Sequence, residues 1–376
     1  MRQSLLAVFM GWAATHSLDI QADDTTELQL GLGYDSNPHQ LATDAALGTS
    51  VYTQLFIDGR EAVWNDALFV EFEADRKDYR PIEEESASTY AGVGLSYEFK
   101  TEALSQLKMV TTWNYRLYDA TYFSRETGFL AFVNAVDVSD RFDVKWNDFE
   151  LASFYAPWES ITFEGTFSAS VKDYENLEVQ GLESLDNQSF KFFAATHYQP
   201  FEQLKLSGWL SLRTQDYNDK FARDEAGLLV DETLSFNETE IGFDLTYRIA
   251  SWQFHLGYGL GTLEDSLDGY FDMDNTWGEV GFIYLTDDGD RFQAQYREIE
   301  NLFANEESHV IDEFDEKIFR DRDGYQWHVS YNISIKKEKD YEFEFFFDWT
   351  VDSYDSFDTN FTFDRQTFVF GLRSLL

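Results

Sequence analysis

The 376-residue chain has no cysteine, and only four prolines interrupt it. Without thiols there are no disulfide staples, no thiolate metal sites and no cysteine nucleophile. Long apolar runs are also missing: beyond the N-terminus nothing nears the roughly 18 apolar residues a membrane-crossing helix needs. Positive charge is scarce. There are 28 Lys and Arg against 70 Asp and Glu, a formal net charge of -42. This argues against nucleic acid as a partner, because phosphate binding requires a basic footprint. A disordered acidic chain is excluded as well, since 43% of the residues are hydrophobic and 18% aromatic.

What is present is alternation. In Tyr341 to Asp352, YEFEFFFDWTVD, one parity holds Tyr341, Phe343, Phe345, Phe347, Trp349 and Val351. The other holds Glu342, Glu344, Phe346, Asp348, Thr350 and Asp352. Successive side chains of a strand point to opposite sides, so this segment has an oily face and a wet one. Sixteen segments of about ten to fourteen residues repeat the pattern. Clear oily stripes include Leu28/Leu30/Leu32, Ala91/Val93/Leu95/Tyr97/Phe99, Ile161/Phe163/Gly165/Phe167 and Trp252/Phe254/Leu256/Tyr258/Leu260. Mean hydropathy is -0.42, a figure that averages the two faces and is blind to membrane strands of this kind. Phe142 to Tyr155 is the weakest segment. Its apolar parity slips from Phe142, Val144 and Trp146 to Phe149 and Leu151, which predicts a bulge or a shifted boundary.

The N-terminus reads as a secretory signal over residues 1–22. Arg2 gives a positive start, Leu5 to Ala14 an apolar stretch too short to span, and Ile20-Gln21-Ala22 a cleavage site. The rest, 23–376, reads as one domain. Its connections alternate in length. Glu61–Asn65, Thr101–Ser105, Pro157–Ser160, Gln199–Gln203, Ala250–Ser251, Asp287–Gly289 and Lys337–Asp340 are short. Asp35–Gly48, Ala120–Arg141, Glu175–Asp186, Asn218–Asn237, Glu264–Asn275 and Phe303–Asp323 are longer and acidic. Short turns at one end and long loops at the other are the asymmetry of bacterial outer-membrane barrels. In hydrocarbon all backbone groups must pair, so strands span only as a closed barrel. The expected fold is therefore all-β: a transmembrane antiparallel barrel of about sixteen strands. Both termini are expected in the periplasm of a Gram-negative cell. Trp64, Trp158, Trp252 and Tyr341 at one end, with Tyr34, Tyr118, Tyr217 and Tyr354 at the other, are expected to form interfacial girdles.

Inward parity places a basic arc of Lys108, Arg116, Lys172, Lys191, Lys205 and Arg213. An acidic wall follows from Glu71, Glu73, Asp75, Glu240, Asp244, Glu279, Glu342, Glu344, Asp348 and Asp352. Walls of opposite sign set up a transverse field across a wet lumen, an arrangement that resembles the constriction of general porins. A hydrated interior also needs charges of either sign. Among the loops, Asp265, Asp268, Asp272 and Asp274 form one acidic group, and Asp312, Glu313, Asp315, Glu316, Asp321 and Asp323 another. Neither has the spacing of a calcium loop; a solvated surface or one bridged to lipopolysaccharide by divalent ions is expected instead.

No enzymatic activity and no cofactor are expected. His328-Val329-Ser330 with Asn332 has the residue types of outer-membrane phospholipases, but parity turns all three polar groups away from lipid. His197 and His255 fall on strands without a second ligand at zinc spacing. The opening segment, Leu30-Gly31-Leu32-Gly33-Tyr34-Asp35-Ser36-Asn37-Pro38, resembles the start of porin-like outer-membrane barrels, among them ones associated with polysaccharide export or surface-lipoprotein assembly. Asp35-Ser36-Asn37-Pro38 also suits a turn. The resemblance implies a channel for small polar solutes or cations. A dedicated export barrel for a polymer and a plugged structural or adhesive barrel stand beside it. The expected partners are membrane lipid, lipopolysaccharide and the insertion machinery, with a homo-oligomer left open.

Overall fold

The computed structural model describes residues 25–38, 49–64, 67–80, 87–100, 106–122, 131–175, 179, 182–311, 317–337 and 341–376. The expected signal segment, the expected turns Thr101–Ser105 and 338–340, and acidic residues 312–316 lie outside these.

Among the described residues, twenty strands occur in chain order. The first half holds β1 (Thr25–Asp35), β2 (Ser50–Trp64), β3 (Leu68–Arg80), β4 (Ala87–Lys100), β5 (Leu107–Ala120), β6 (Phe132–Val133), β7 (Val136–Asp137), β8 (Val144–Trp158), β9 (Ile161–Tyr174) and β10 (Asn187–Phe201). The second half holds β11 (Leu204–Arg223), β12 (Leu229–Ile249), β13 (Trp252–Asp265), β14 (Met273–Leu285), β15 (Arg291–Phe303), β16 (Glu307–Ile311), β17 (Lys317–Phe319), β18 (Arg322–Lys337), β19 (Glu342–Ser356) and β20 (Phe363–Leu375). Two short hairpins, β6–β7 and β16–β17, stand apart in the loops; the other sixteen strands make one closed antiparallel barrel.

Closure leaves no open edge, which is what lipid demands. The oily parity faces out: Leu30, Leu32, Val93, Leu95, Val171, Ile241, Val280 and Leu372 are all exposed. An even-stranded antiparallel barrel with an apolar outer band, short turns at one end and long loops at the other is the outer-membrane architecture. Thr25 and Leu376 both lie at the short-turn end, where Thr26 and Leu376 exchange backbone hydrogen bonds of 3.0 and 2.8 Å.

Four local expectations are corrected. First, β8 carries no bulge where its parity slips; it pairs in unbroken register with β5 and, as far as Tyr155, with β9. Val144 and Trp146 instead point inward and pack with Tyr174, Tyr90, Tyr118 and Leu185. Second, Asn218–Asn237 is mostly strand, because β11 and β12 run on as a projecting hairpin. Ala222 and Leu234 are fully buried there, which supplies the packing that sustains it. Its tip is a turn at Asp224–Leu228, with Gly227 at φ 79° in the left-handed region glycine tolerates. Third, Tyr118, Tyr217 and Tyr354 belong to the inward parity of their strands and form no girdle, whereas Trp64, Trp158, Trp252 and Tyr34 are exposed. Fourth, the turn expected at Glu61–Asn65 starts later, since β2 continues to Trp64 through a register shift after Ala62.

The opening motif closes the barrel. β1 pairs with β20 from Glu27↔Leu375 to Asp35↔Thr367. Arg365 donates to both carboxylate oxygens of the fully buried Asp35, at 2.6 to 3.1 Å. Beyond the strand, Ser36 Oγ accepts from the Gln366 amide (2.7 Å), and Asn37 Nδ2 donates to the Asp364 carbonyl (3.3 Å). Gly33 lets the Tyr52 ring lie against the wall, where a Cβ would run into it. Asp35-Ser36-Asn37 thus clasps the first strand to the last.

Candidate functional site: the inward-facing wall

The inward side chains form the candidate site, and ladder register fixes which of them meet. In the basic arc, Lys108 binds Glu98 at 3.2 Å, and Arg60 binds the same buried carboxylate at 2.9 Å while stacking on Phe69. Arg116 is ion-paired with Asp148, Lys172 sits over Trp146, and Arg213 pairs with Glu238 at 3.2 Å. Lys191 lies opposite Arg213 in the ladder, and Lys205 opposite Thr246. Asp148, Glu150 and Glu164 are interleaved among these cations, on β8 and β9. Lys108, Arg116 and Arg213 are thus each answered by a neighbouring carboxylate.

The acidic residues fall into three groups. On β3, Glu71 accepts from Ser96 Oγ (2.8 Å), Asp75 accepts from Gln54 (2.8 Å), and Glu73 lies between them. On β19, Glu342 accepts from Ser334 Oγ, Glu344 pairs with Arg373, Asp348 faces His328 at 3.4 Å, and Asp352 lies opposite Arg365. On β12 and β14, Glu240, Asp244 and Glu279 surround two indoles. Trp277 Nε1 donates to Glu240 (2.7 Å) and Trp209 Nε1 to Asp244 (3.0 Å), while His255 meets Glu279 at 3.1 Å.

Apart from Phe346, which the alternation of Tyr341 to Asp352 already puts on the wet face, inward aromatics were not foreseen. Phe69, Phe346, Phe363, Tyr52, Tyr354, Trp146 and Trp277 are all buried against the inside of the barrel. The available signal was their parity: each shares its strand's charged face, as Phe346 does between Glu344 and Asp348. His197 was also missed as a hub. Its Nδ1 is 2.8 Å from Ser207 Oγ and its Nε2 is 3.0 Å from Glu164, joining β9, β10 and β11 near the short-turn end. His328, Ser330 and Asn332 sit on the inward parity of β18 and face no lipid.

The acidic loops hold themselves together through backbone amides. Asp265 accepts from the amides of Leu267, Gly269 and Phe271, and Asp272 accepts from the Asp265 amide. Asp321 accepts from the Phe303 amide. Among the described residues, no three His, Asp or Glu side chains converge as metal ligands.

Contacts also link successive long loops. Arg141 donates to the Glu183 carbonyl, Lys220 stands over Phe271, and Arg223 over Tyr270. Asn305 donates to the Gly269 carbonyl, and Arg320 joins Glu306 to the fully buried Asp358. Lys220 lies within the fields of Glu183, Arg141, Glu306 and Arg223, and burial holds its ammonium below the usual lysine range.

No protein-family model matches the chain, and no curated protein sequence matches it. Solved structures with a similar outline include OmpT, an outer membrane protein of Vibrio cholerae, at 10% identity and TM-score 0.44, covering 96% of this chain and 99% of that one. The anion-selective porin from Comamonas acidovorans is similar at 10% identity and TM-score 0.43, covering 94% and 98%. OccK10 of Pseudomonas aeruginosa is similar at 10% identity and TM-score 0.45, covering 94% and 99%. What each of these carries is a property of that protein alone.

Proposed function

We propose that the chain forms a porin-like channel in the outer membrane of a Gram-negative cell, passing small polar solutes by diffusion and favouring cations. One observation carries this reading: a closed barrel of sixteen strands whose inward parity is rich in charged groups. Eight strands give an interior that side chains fill, whereas about sixteen leave an aqueous channel. The acidic excess of the whole chain sets the sign of the selectivity through the field it adds to the pore. The long loops then face outward and the short turns face the periplasm. Reconstitution in planar bilayers under a KCl gradient tests the reading. Discrete conductance steps are expected, with a reversal potential shifted toward that of potassium. Membranes that stay closed under voltage, or a shift toward chloride, would sink it.

A second reading, a plugged structural barrel, draws support from the ties among the long loops. Liposome swelling with sugars of graded size separates the two, since a plugged barrel admits none.

A further inference from the structure

The geometry points to a ring-stacking subsite for a neutral saccharide on the inner wall between β10 and β15, centred on Trp209. This deepens the channel reading and rests on it. Phe193, Trp209 and Trp277 follow one another along the wall. Trp209 and Trp277 are 6.2 Å apart between ring centres and only 15° from parallel, and Phe193 lies 6.2 Å from Trp209 at 31°. The indoles lie flat because the wall beneath them has no side chains. A Cβ at Gly242 would enter the Trp209 ring, and one at Gly259 the Trp277 ring. Each indole N–H is fixed by a carboxylate, Trp209 by Asp244 and Trp277 by Glu240. Orientation is therefore set from the edge and from below, and the remaining face is turned inward.

Access and charge select the ligand. Trp277 is buried, with the Arg297 guanidinium 4.4 Å above its ring. Trp209 and Phe193 are half-buried and keep accessible surface. Around them the charges alternate: Lys191 and Arg297 act on Glu240, while Lys205 and His255 act on Asp244. Ser207, His197 and Glu164 lie at the adjoining ladder positions. An organic cation would also stack on an open indole; Glu240, Asp244 and Glu279 favour it while Lys191, Lys205 and Arg297 oppose it, so charge alone gives it no net advantage. A pyranose fits better: its C–H face matches the π surface, and its hydroxyls both donate and accept.

Single-channel recording with maltohexaose as the probe tests the subsite, with polyethylene glycol of equal hydrodynamic size and spermine as controls. Maltohexaose is expected to cause resolved current blockades that the glycol does not. Trp209→Leu, which keeps an apolar side chain without a flat face, should shorten them about fivefold to tenfold. Trp209→Ala is the second variant should that one fail to fold. A conducting channel that maltohexaose leaves undisturbed, that the glycol blocks equally, or that only spermine blocks overturns the subsite and leaves the channel standing. If no current flows at all, the channel reading fails instead. Calorimetric titration of the detergent-solubilised barrel then decides the subsite: maltohexaose binding that weakens in Trp209→Leu upholds it, and absent or unaltered binding ends it.

Discussion

Asp35 and Arg365 show how one residue pair can hold a whole barrel shut. The carboxylate is fully buried and meets the guanidinium through three contacts at the seam where the chain's first and last strands join. Removing one partner of such a pair strands the other, at a cost of about 3–5 kcal/mol. Asp35→Asn is therefore expected to lower the temperature at which the folded barrel unfolds in detergent gels. Ser36→Ala deletes one rim hydrogen bond and should cost only about 1 kcal/mol. Equal behaviour of the two variants would mean that the clasp contributes nothing special. Asp143 is a second informative residue, in the loop ahead of β8, where its Oδ1 accepts from the Ala120 amide at 2.9 Å. Burial, with Asp119, Asp140 and Glu175 nearby, pushes its carboxyl up to about 6. A folded-state value above the ordinary one favours the protonated form. Its contribution is full below the ordinary carboxylate range and is lost as pH rises through about 6. The stability of the loop around Asp143, read as exchange protection of its amides corrected for intrinsic exchange, should therefore fall as pH rises through about 6, although the Ala120 N–H itself favours the ionised acceptor. Asp143→Asn should flatten that profile, and an unchanged slope in the variant would assign it to another group.

At the scale of elements, β8 is the instructive strand. Its first residues, Val144 and Trp146, belong to an inward cluster with Tyr174, beside which Tyr90, Tyr118 and Leu185 pack. Trp146→Ala removes the largest member, and truncations of that kind cost about 3–5 kcal/mol when the cavity does not collapse. The strand's ladder stays intact on both sides, so the barrel should survive while the loops rooted in this cluster loosen. Protease cleavage within residues 121–143 or 175–186 should become faster, with the folded gel mobility retained. Loss of both together would show that the cluster supports the barrel itself. The same strand marks how far sequence pattern reaches. Sixteen strands were legible because a period of two needs only alternation, and the oily exterior repeats it faithfully. Facing was legible too wherever the inner parity was charged, as on β3 and β19. Where aromatic residues line the inside, as at Trp146, Tyr118 and Phe346, oiliness ceases to report direction. Only counting parity from a neighbouring outward residue does. Pair identities such as Glu98 between Arg60 and Lys108, or His197 between Ser207 and Glu164, depend on the register between neighbouring strands. No local pattern carries them.

For the whole molecule, the decisive question is whether the long-loop end behaves as one body. Its ties run from Arg141 and Glu183 through Lys220, Arg223, Tyr270 and Asn305 to Glu306, Arg320 and Asp358. These residues come from six successive connections around the barrel. Arg320 is the junction, because it meets Glu306, reaches the fully buried Asp358 and stacks over Phe361. Burial raises the Glu306 carboxyl above its usual range, and Arg320 is the first group to oppose that rise. Arg320→Ala would leave Glu306 and the fully buried Asp358 without this cation. If the loops act as one cap, the variant should raise mean single-channel conductance and speed proteolysis in loops far from position 320, including residues 175–186. Lower pH should restore the closed behaviour in part, since protonated Glu306 no longer needs a cation. If cleavage rises only next to residue 320 and conductance is unaltered, the loops move independently, and the ties are local fastenings on a mouth that the barrel alone holds open.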